Sequence, residues 1–398
     1  MPVGNVGPVH RTLSPPRRIR DASVRIESSG FADGPAQALR DFLLEHDVRD
    51  LMMVQHPLTP EGGNEHIVTT WRRGVLANRT RIRLPHHPPL TYPLDVLITT
   101  PRMHINAWFG FNSLAVARGL AARARGRADV VVQWCVDFVP NRFDDGLATR
   151  AYDALDRLAC RRADARFELA AAGRDGRNVR HGFMAGEVAP VHIVPMGAWL
   201  DRVPTTVAQL NGPWRPVYMG HLVERQGVGP LLEAFAILIR EGRSVQADIV
   251  GDGPLNEPLR REAAALGIGD NVRFHGFIPD HREVEAILAR ASVGCATYDT
   301  RGDSFTRYAD PGKLKAYLAA GLPIVTTPVA PIAPDLAAHG GAEITEFNSR
   351  AIADAICAVH SSPADWERRR ADSLTFAQAF GWPAILTPPL EAIGLTAL

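Results

Sequence analysis

The sequence predicts an α/β protein of two successive doubly wound domains, each a parallel sheet covered by helices on both faces. Two observations carry the prediction. Short apolar runs alternate with longer amphipathic stretches along most of the 398 residues, as strand–helix units require. The alternation then restarts after residues 204–216, where Asn211-Gly212-Pro213 supplies turn chemistry suited to a linker. A chain of this length is also long for one hydrophobic core. Ligands of such sheets bind beyond the carboxyl ends of the strands, with a cleft expected between the two domains.

In chain order, residues 1–20 are rich in Pro and Arg and lack an apolar stretch, so they read as a disordered tail rather than a signal peptide. The first domain, 21–203, opens with a strand at 22–28 (ASVRIES) and a helix at about 35–46 (PAQALRDFLLEH). Strands follow at 50–55 (DLMMVQ), 94–99 (LDVLIT) and 129–136 (DVVVQWCV), with helices at 113–124 and 147–162 and short strands at 164–169 and 191–195. The second domain, 217–380, begins at strand 216–219 and continues with helix 229–241, strand 246–250, helix 255–266 and strand 272–275. Helix 282–290, strand 292–298, helix 312–320 and strand 323–327 complete its centre. A final segment, 381–398, is expected to be helical and to pack back on the first domain.

Composition narrows the class. Apolar residues make up 46% and charged residues 22%, as in soluble globular proteins, and a net charge of +1 gives no field to favour nucleic acid. Cys135, Cys160, Cys295 and Cys357 form no CxxC pair and read as buried small hydrophobes in a reducing compartment. No apolar run approaches the roughly 20 residues that span a bilayer, and a cytoplasmic protein is expected.

Among the 44 basic Lys and Arg residues only two are lysine, Lys313 and Lys315, both in Tyr308-Ala309-Asp310-Pro311-Gly312-Lys313-Leu314-Lys315. Lysine is a compact point charge that fits a narrow phosphate site, whereas arginine is a planar fork. Asp310 or Ala309 can cap a helix whose first turn holds Pro311, leaving the N–H groups of Gly312 and Lys313 where an anion is favoured. An ordinary charged helix start explains the segment equally well. Three earlier strand ends carry glycine with polar residues: Gly220-His221 through Arg225-Gln226-Gly227, then Gly251-Asp252-Gly253-Pro254, then His275-Gly276-Phe277-Ile278. One such loop means little; four on one rim suggest a nucleotide site.

The second half resembles the C-terminal domain of retaining glycosyltransferases of family 4, which have the GT-B fold. The resemblance runs through YMGHLVERQGV, IVGDGPLNEPLRREAAALGIGDNVRFHGFIPDHREVEAILARASVGCATY and ADPGKLKAYLAAGLPIVTT, covering about 215–345. The first half matches through HPL, WFGFNSL, WCVDFVPNRF and VPMGAW, which are similar to a bacterial and archaeal subgroup of surface-polysaccharide or glycolipid transferases. The resemblance implies a UDP- or GDP-linked sugar donor on the C-terminal domain and an acceptor on the N-terminal one. The base would lie against Gly276, Phe277 and Ile278, and the diphosphate against the Gly220 loop, Gly251, Gly253 and the helix start Gly312–Leu314. Transfer would retain anomeric configuration through a loose, oxocarbenium-like transition state, with Lys313 and backbone N–H groups stabilising the leaving diphosphate. It implies no metal or other cofactor, and the sequence has no Asp-x-Asp pair or His/Cys cluster to suggest one.

This chain departs from the family pattern in places. The two glutamates usual eight positions apart fall on Tyr308 and Ala316, and the Arg and Lys of the first phosphate loop fall on His221 and Gln226, with Arg225 adjacent. The subgroup pattern DxFTxYADPGK is matched at Asp303–Lys313 instead, which implies that Asp310 or Asp303 binds donor sugar hydroxyls; a plain N-cap is the alternative for Asp310.

On the acceptor side, Asp137 closes the apolar strand VVVQWCV, where a carboxylate can orient or deprotonate a hydroxyl; an ion pair with Arg142 or a turn cap is the alternative. Arg142, His56 and Asn112 are further acceptor-side candidates, and Gly30 and Gly34 resemble the glycine loop after the first GT-B strand. His66, His86 and His87, with no third ligand in sight, read as surface residues. Arg118, Arg123, Arg125 and Arg127 decorate a helix that Ser113 would cap, a face either solvated or able to lie on anionic lipid. The expected activity is transfer of a sugar to a saccharide, lipid-linked or small-molecule acceptor. The alternatives are a catalytically silent nucleotide-sugar-binding protein, which the missing glutamates motivate, and a nucleotide-sugar epimerase.

Overall fold

The computed structural model describes residues 16–31, 33–58, 63–88, 90–98, 103–139, 146–204, 212–302 and 305–397. The chain divides into two compact units, residues 1–195 with 382–398 and residues 196–381. The division falls before the expected linker, of which 205–211 lie outside the described residues.

Unit 1 contains β1 (Arg17–Arg18), β2 (Ser23–Ser29), α1 (Pro35–Glu45), β3 (Asp50–His56), β4 (Glu65–Arg72), β5 (Val75–Arg83) and β6 (Ile105–Gly110). It continues with α2 (Ser113–Ala124), β7 (Ala128–Cys135), α3 (Leu147–Arg162), β8 (Ala165–Glu168), α4 (Ala171–His181) and β9 (Val191–Ile193). Its main sheet runs β5-β4-β3-β2-β6-β7-β8-β9. The sheet is parallel from β3 through β9, as expected, and carries an antiparallel hairpin at one edge, where β4 runs antiparallel to β3 and β5 antiparallel to β4. Arg73 (φ 44°) and Gly74 (φ 74°) form the two-residue turn between β4 and β5, the left-handed pair that matches strand twist in a hairpin. The expected strand at 94–99 is also corrected: Tyr92–Leu97 form a 3-10 turn with Pro93 near its start, and the strand entering the sheet is β6. Of the expected tail, Arg17–Arg18 form β1 and Ile19 is buried.

Unit 2 contains β10 (Pro216–Met219), α5 (Val228–Arg240), β11 (Ala247–Val250), α6 (Asn256–Ala265), β12 (Val272–Gly276), α7 (His281–Leu288) and β13 (Val293–Ala296). After these come α8 (Gly312–Ala319), β14 (Ile324–Thr326), α9 (Ala333–His339), β15 (Glu343–Ile344), α10 (Ser349–Val359) and α11 (Pro363–Ala377). Its six strands are all parallel, in the order β12-β11-β10-β13-β14-β15. Leu231, Phe235, Leu238 and Ile249 fill the core on one face, and Trp366 closes it, its indole N–H donating to the Ser292 carbonyl at 2.7 Å. The chain then returns to unit 1 with α12 (Trp382–Ala392), which packs on α1, and β16 (Leu395–Thr396), which pairs with β1. No described helix is long and apolar enough to cross a membrane.

Candidate donor site and buried polar networks

The strand order of unit 2 reverses between β10 and β13, so the connections leaving their carboxyl ends turn in opposite directions and leave the crevice where this sheet type takes ligands. Tyr317 of α8 fixes helix to crevice. Its buried hydroxyl accepts from the Met219 N–H at 2.9 Å and donates to the Cys295 carbonyl at 3.2 Å, bonding both strands. Gly294 makes room: a Cβ there would lie 2.6 Å from the Tyr317 ring. One turn earlier, α8 begins at Gly312 and Lys313, whose N–H groups have no intrahelical acceptor.

Lys313 lies along Gly220, where a Cβ would come within 2.8 Å of its Nζ. The ammonium donates to Gln226 Oε1 at 2.6 Å and sits 4.2 Å from the Tyr218 ring centroid and 5.3 Å from that of Tyr298. Among the described residues no carboxylate is within ion-pair distance of it. Burial pulls its pKa down to about 7. A half-buried lysine that lacks a counter-ion, beside a helix start, forms a site for an anion.

The rim glycines have a definite task. A Cβ on Gly251 would meet the Gly220 carbonyl oxygen at 1.9 Å, one on Gly253 the Leu222 carbonyl oxygen at 2.6 Å, and one on Gly227 (φ 67°) that of Thr297 at 1.8 Å. The loops therefore stack backbone on backbone. Gly276 (φ 71°) faces open space, its carbonyl accepting from the Gly251 N–H at 2.9 Å; Phe277 beside it is 67% exposed and Ile278 is half-buried. His221 is exposed and donates from Nδ1 to the Asp252 carbonyl at 2.8 Å. Arg225 stacks on Phe305 at 4.2 Å, and among the described residues its guanidinium makes no hydrogen bond.

One expectation on this rim is corrected, the helix cap at Asp310. Asp310 does not cap α8, whose N-cap is Pro311, and its side chain is buried. One carboxylate oxygen pairs with Lys315 and the other accepts the Met196 N–H at 2.7 Å. Lys315 is wholly buried, so the second lysine is structural. Leu314 turns its side chain into the core and its N–H donates to the Pro311 carbonyl. Tyr308 is half-buried in the 3-10 turn Phe305–Tyr308, and Asp303 lies outside the described residues.

Unit 1 has its own reversal, between β2 and β6. Gly30 (φ 92°) follows β2, its N–H bonded to the His56 carbonyl; Gly34 is the N-cap of α1 in extended backbone that any residue adopts. Asn112, not Ser113, caps α2, its Oδ1 accepting from the Ala115 N–H at 2.7 Å while its Nδ2 donates to Ser29 Oγ at 3.0 Å. Asn112 thus caps α2 and ties it to the end of β2. Asp137 is half-buried at the end of β7, its carbonyl accepting from Arg177 at 2.7 Å, and it lines a small recess with Phe138, Thr149, Tyr152 and His181. Arg142 lies outside the described residues.

Two buried networks carried no clear sequence signal. In one, Asp156 accepts from Ser113, Gln133 and Arg177 and bonds His181 Nε2 at 2.8 Å; burial alone would raise its pKa, but Arg177 and these hydrogen bonds hold it well below the usual range. In the other, Glu27 accepts from Arg25 at 2.9 Å and from Arg118 at 2.6 Å and lies 3.4 Å from His56 Nε2. Burial pushes Glu27 up, yet Arg25, His56 and Arg118 outweigh it and set the pKa at about 2. The one hint was Arg25 and Glu27 two apart in ASVRIES, on the same face of an otherwise apolar strand. His56 and His66 are both buried here, which corrects the surface reading of His66. Arg118 and Arg123 pair with Glu27 and Asp164, so half of the proposed lipid-facing arginines are engaged inside the protein.

Solved structures align over nearly the whole chain: the Anabaena protein Alr3699/HepE, crystallised with UDP, superposes with a TM-score of 0.67 at 15% identity, over 93% of this chain and 99% of that one. The fold is GT-B. Residues 215–362 match the family model described as glycosyl transferases group 1, the segment that holds the Lys313 crevice. A GDP-mannose-dependent alpha-(1-6)-phosphatidylinositol dimannoside mannosyltransferase of Mycobacterium tuberculosis is 29% identical over 184 residues, 46% of this chain and 44% of the relative. The amylovoran biosynthesis glycosyltransferase AmsK of Erwinia amylovora is 28% identical over 158 residues, 39% and 38% of the two chains. The match thus spans less than half the length of these relatives.

Proposed function

We propose that this protein is a glycosyltransferase that moves a sugar from a nucleotide-diphosphate donor, held by unit 2, to an acceptor hydroxyl with retention of configuration. The observation that carries the reading is Lys313: a partly desolvated ammonium with no counter-ion among the described residues, laid over Gly220 at the β10/β13 crevice inside the matched segment. A departing nucleoside diphosphate accumulates negative charge, and a fixed cation with low-dielectric aromatic walls stabilises that charge more than the ground state. Arg225, stacked on Phe305, supplies a second cation for the same group, and Phe277 offers an exposed ring beside the open Gly276 turn for the base. The likeness to a GDP-mannose-dependent enzyme and to a UDP-bound structure supports a sugar nucleotide of either base. Asp137, at the recess in unit 1, is our acceptor-side candidate.

Calorimetric titration of UDP and GDP into wild type and Lys313→Ala tests this. One nucleotide is expected to bind, and the variant to lose about 1.5–3 kcal/mol, the worth of a charged hydrogen bond, or roughly 10- to 150-fold in Kd. Absence of binding by both nucleotides to wild type would sink the reading. Binding followed by no product on any acceptor would select a silent binding protein instead.

A further inference from the structure

His56 ends β3 and His66 lies near the start of β4; the antiparallel register pairs Gln55 with Ile67 and so brings the two histidines face to face. Asp95 reaches them from the Tyr92–Leu97 turn. His56 Nδ1 and His66 Nδ1 are 2.9 Å apart, and Asp95 oxygens lie 3.6 Å from each. All three side chains are buried. Two imidazole nitrogens that approach this closely need a proton or a cation between them. Glu27 already has Arg25 and Arg118, whereas Asp95 has no arginine or lysine in ion-pair range among the described residues. Asp95 Oδ1 and His66 Nε2 are buried without any hydrogen-bond partner.

We propose that His56 Nδ1, His66 Nδ1 and the Asp95 carboxylate bind a divalent first-row metal ion, zinc by ligand type, in a structural clamp. Ligand atoms about 2.0–2.1 Å from a tetrahedral zinc lie ~3.3 Å from one another, and the separations here bracket that distance. Glu27, 3.4 Å from His56 Nε2, stands where a carboxylate orients a metal-bound imidazole by accepting from its far nitrogen. That bond requires the Nε2–H tautomer and leaves the Nδ1 lone pair for the ion. The ion would lock together β3, β4 and the 92–97 turn, and the ion's charge would offset the buried Asp95. The sequence spacing hides this set, because its members stand 10 and 29 residues apart and come from three elements.

The test uses full-length, tag-free protein, stripped with chelator and titrated with Zn²⁺ and with Co²⁺ as a spectroscopic stand-in. Wild type should take one equivalent, show the intense visible absorption of low-coordinate Co²⁺, and melt several degrees higher with zinc than without. His66→Gln and Asp95→Asn should lose the absorption and the zinc-dependent shift while retaining the far-UV spectrum of the apo protein. If a variant fails to fold, wild type decides alone. Folded wild type that binds no stoichiometric zinc and gives only octahedral Co²⁺ absorption refutes the clamp and leaves a proton shared between the histidines. Unchanged zinc affinity in His66→Gln would refute it as well.

Discussion

Lys313 and Lys315 are two residues apart and face opposite demands. Burial lowers Lys313 to about 7, so near neutrality the free protein holds it only partly charged. An anionic diphosphate favours the charged form. Below pH 7 the charge is already present; above it, binding must draw a proton from solvent. Nucleotide affinity should therefore fall as pH rises from about 7 toward 9, by up to roughly tenfold per unit, with proton uptake visible as buffer-dependent binding heats at pH 8. Lys313→Ala should flatten the profile. For stability the sign is reversed: the unfolded chain binds the extra proton between about 7 and the ordinary lysine value, so this residue's contribution improves as pH rises through that window. Lys315 instead depends on Asp310. Asp310→Ala strands a buried ammonium and should cost roughly 3–5 kcal/mol in urea denaturation. Unaltered stability with lost turnover would return Asp310 to the catalytic role that its motif suggested.

At the scale of elements, the crevice is made by loops that touch through glycines and by one tyrosine bonded to two strands. Gly227→Ala must move the Thr297 carbonyl by more than an ångström and abandon a left-handed φ; a loss of about 2 kcal/mol or more in unfolding free energy is expected, together with weaker nucleotide binding, because α5 and the Gln226 partner of Lys313 shift with it. Parallel strands such as β7 were legible because burial on both faces writes an unbroken apolar run. The β4–β5 hairpin was not: β5 is exposed along nearly its whole length, and its Arg73-Gly74 turn lacks the Asn or Asp that signals such turns. The LDVLIT run reads as a strand by its apolarity, yet the N–H groups of Leu94 and Asp95 both donate to the Thr91 carbonyl and curl the chain away from the sheet. The lysine of the site stood out by rarity alone. Its partner Gln226 lies 87 residues away, and no local pattern encodes a contact of that span.

At the scale of the molecule, unit 1 is closed by a segment that follows unit 2 in the chain. Removing residues 382–398 uncovers α1 and unpairs β1. Amide exchange in α1 and β2 should then quicken by an order of magnitude or more, while the β10–β14 amides of the continuous unit keep their protection. Equal loss in both units would mean that the segment supports the whole molecule. The same routing bears on synthesis. Domains emerge from the ribosome in order and fold as units, yet this one cannot be finished in order. While 196–381 are being made, the earlier unit already has its eight-stranded sheet but lacks the helix that covers α1. The later-made unit can complete itself first, and the first-made half waits, with an apolar face of α1 uncovered, for residues 382–398.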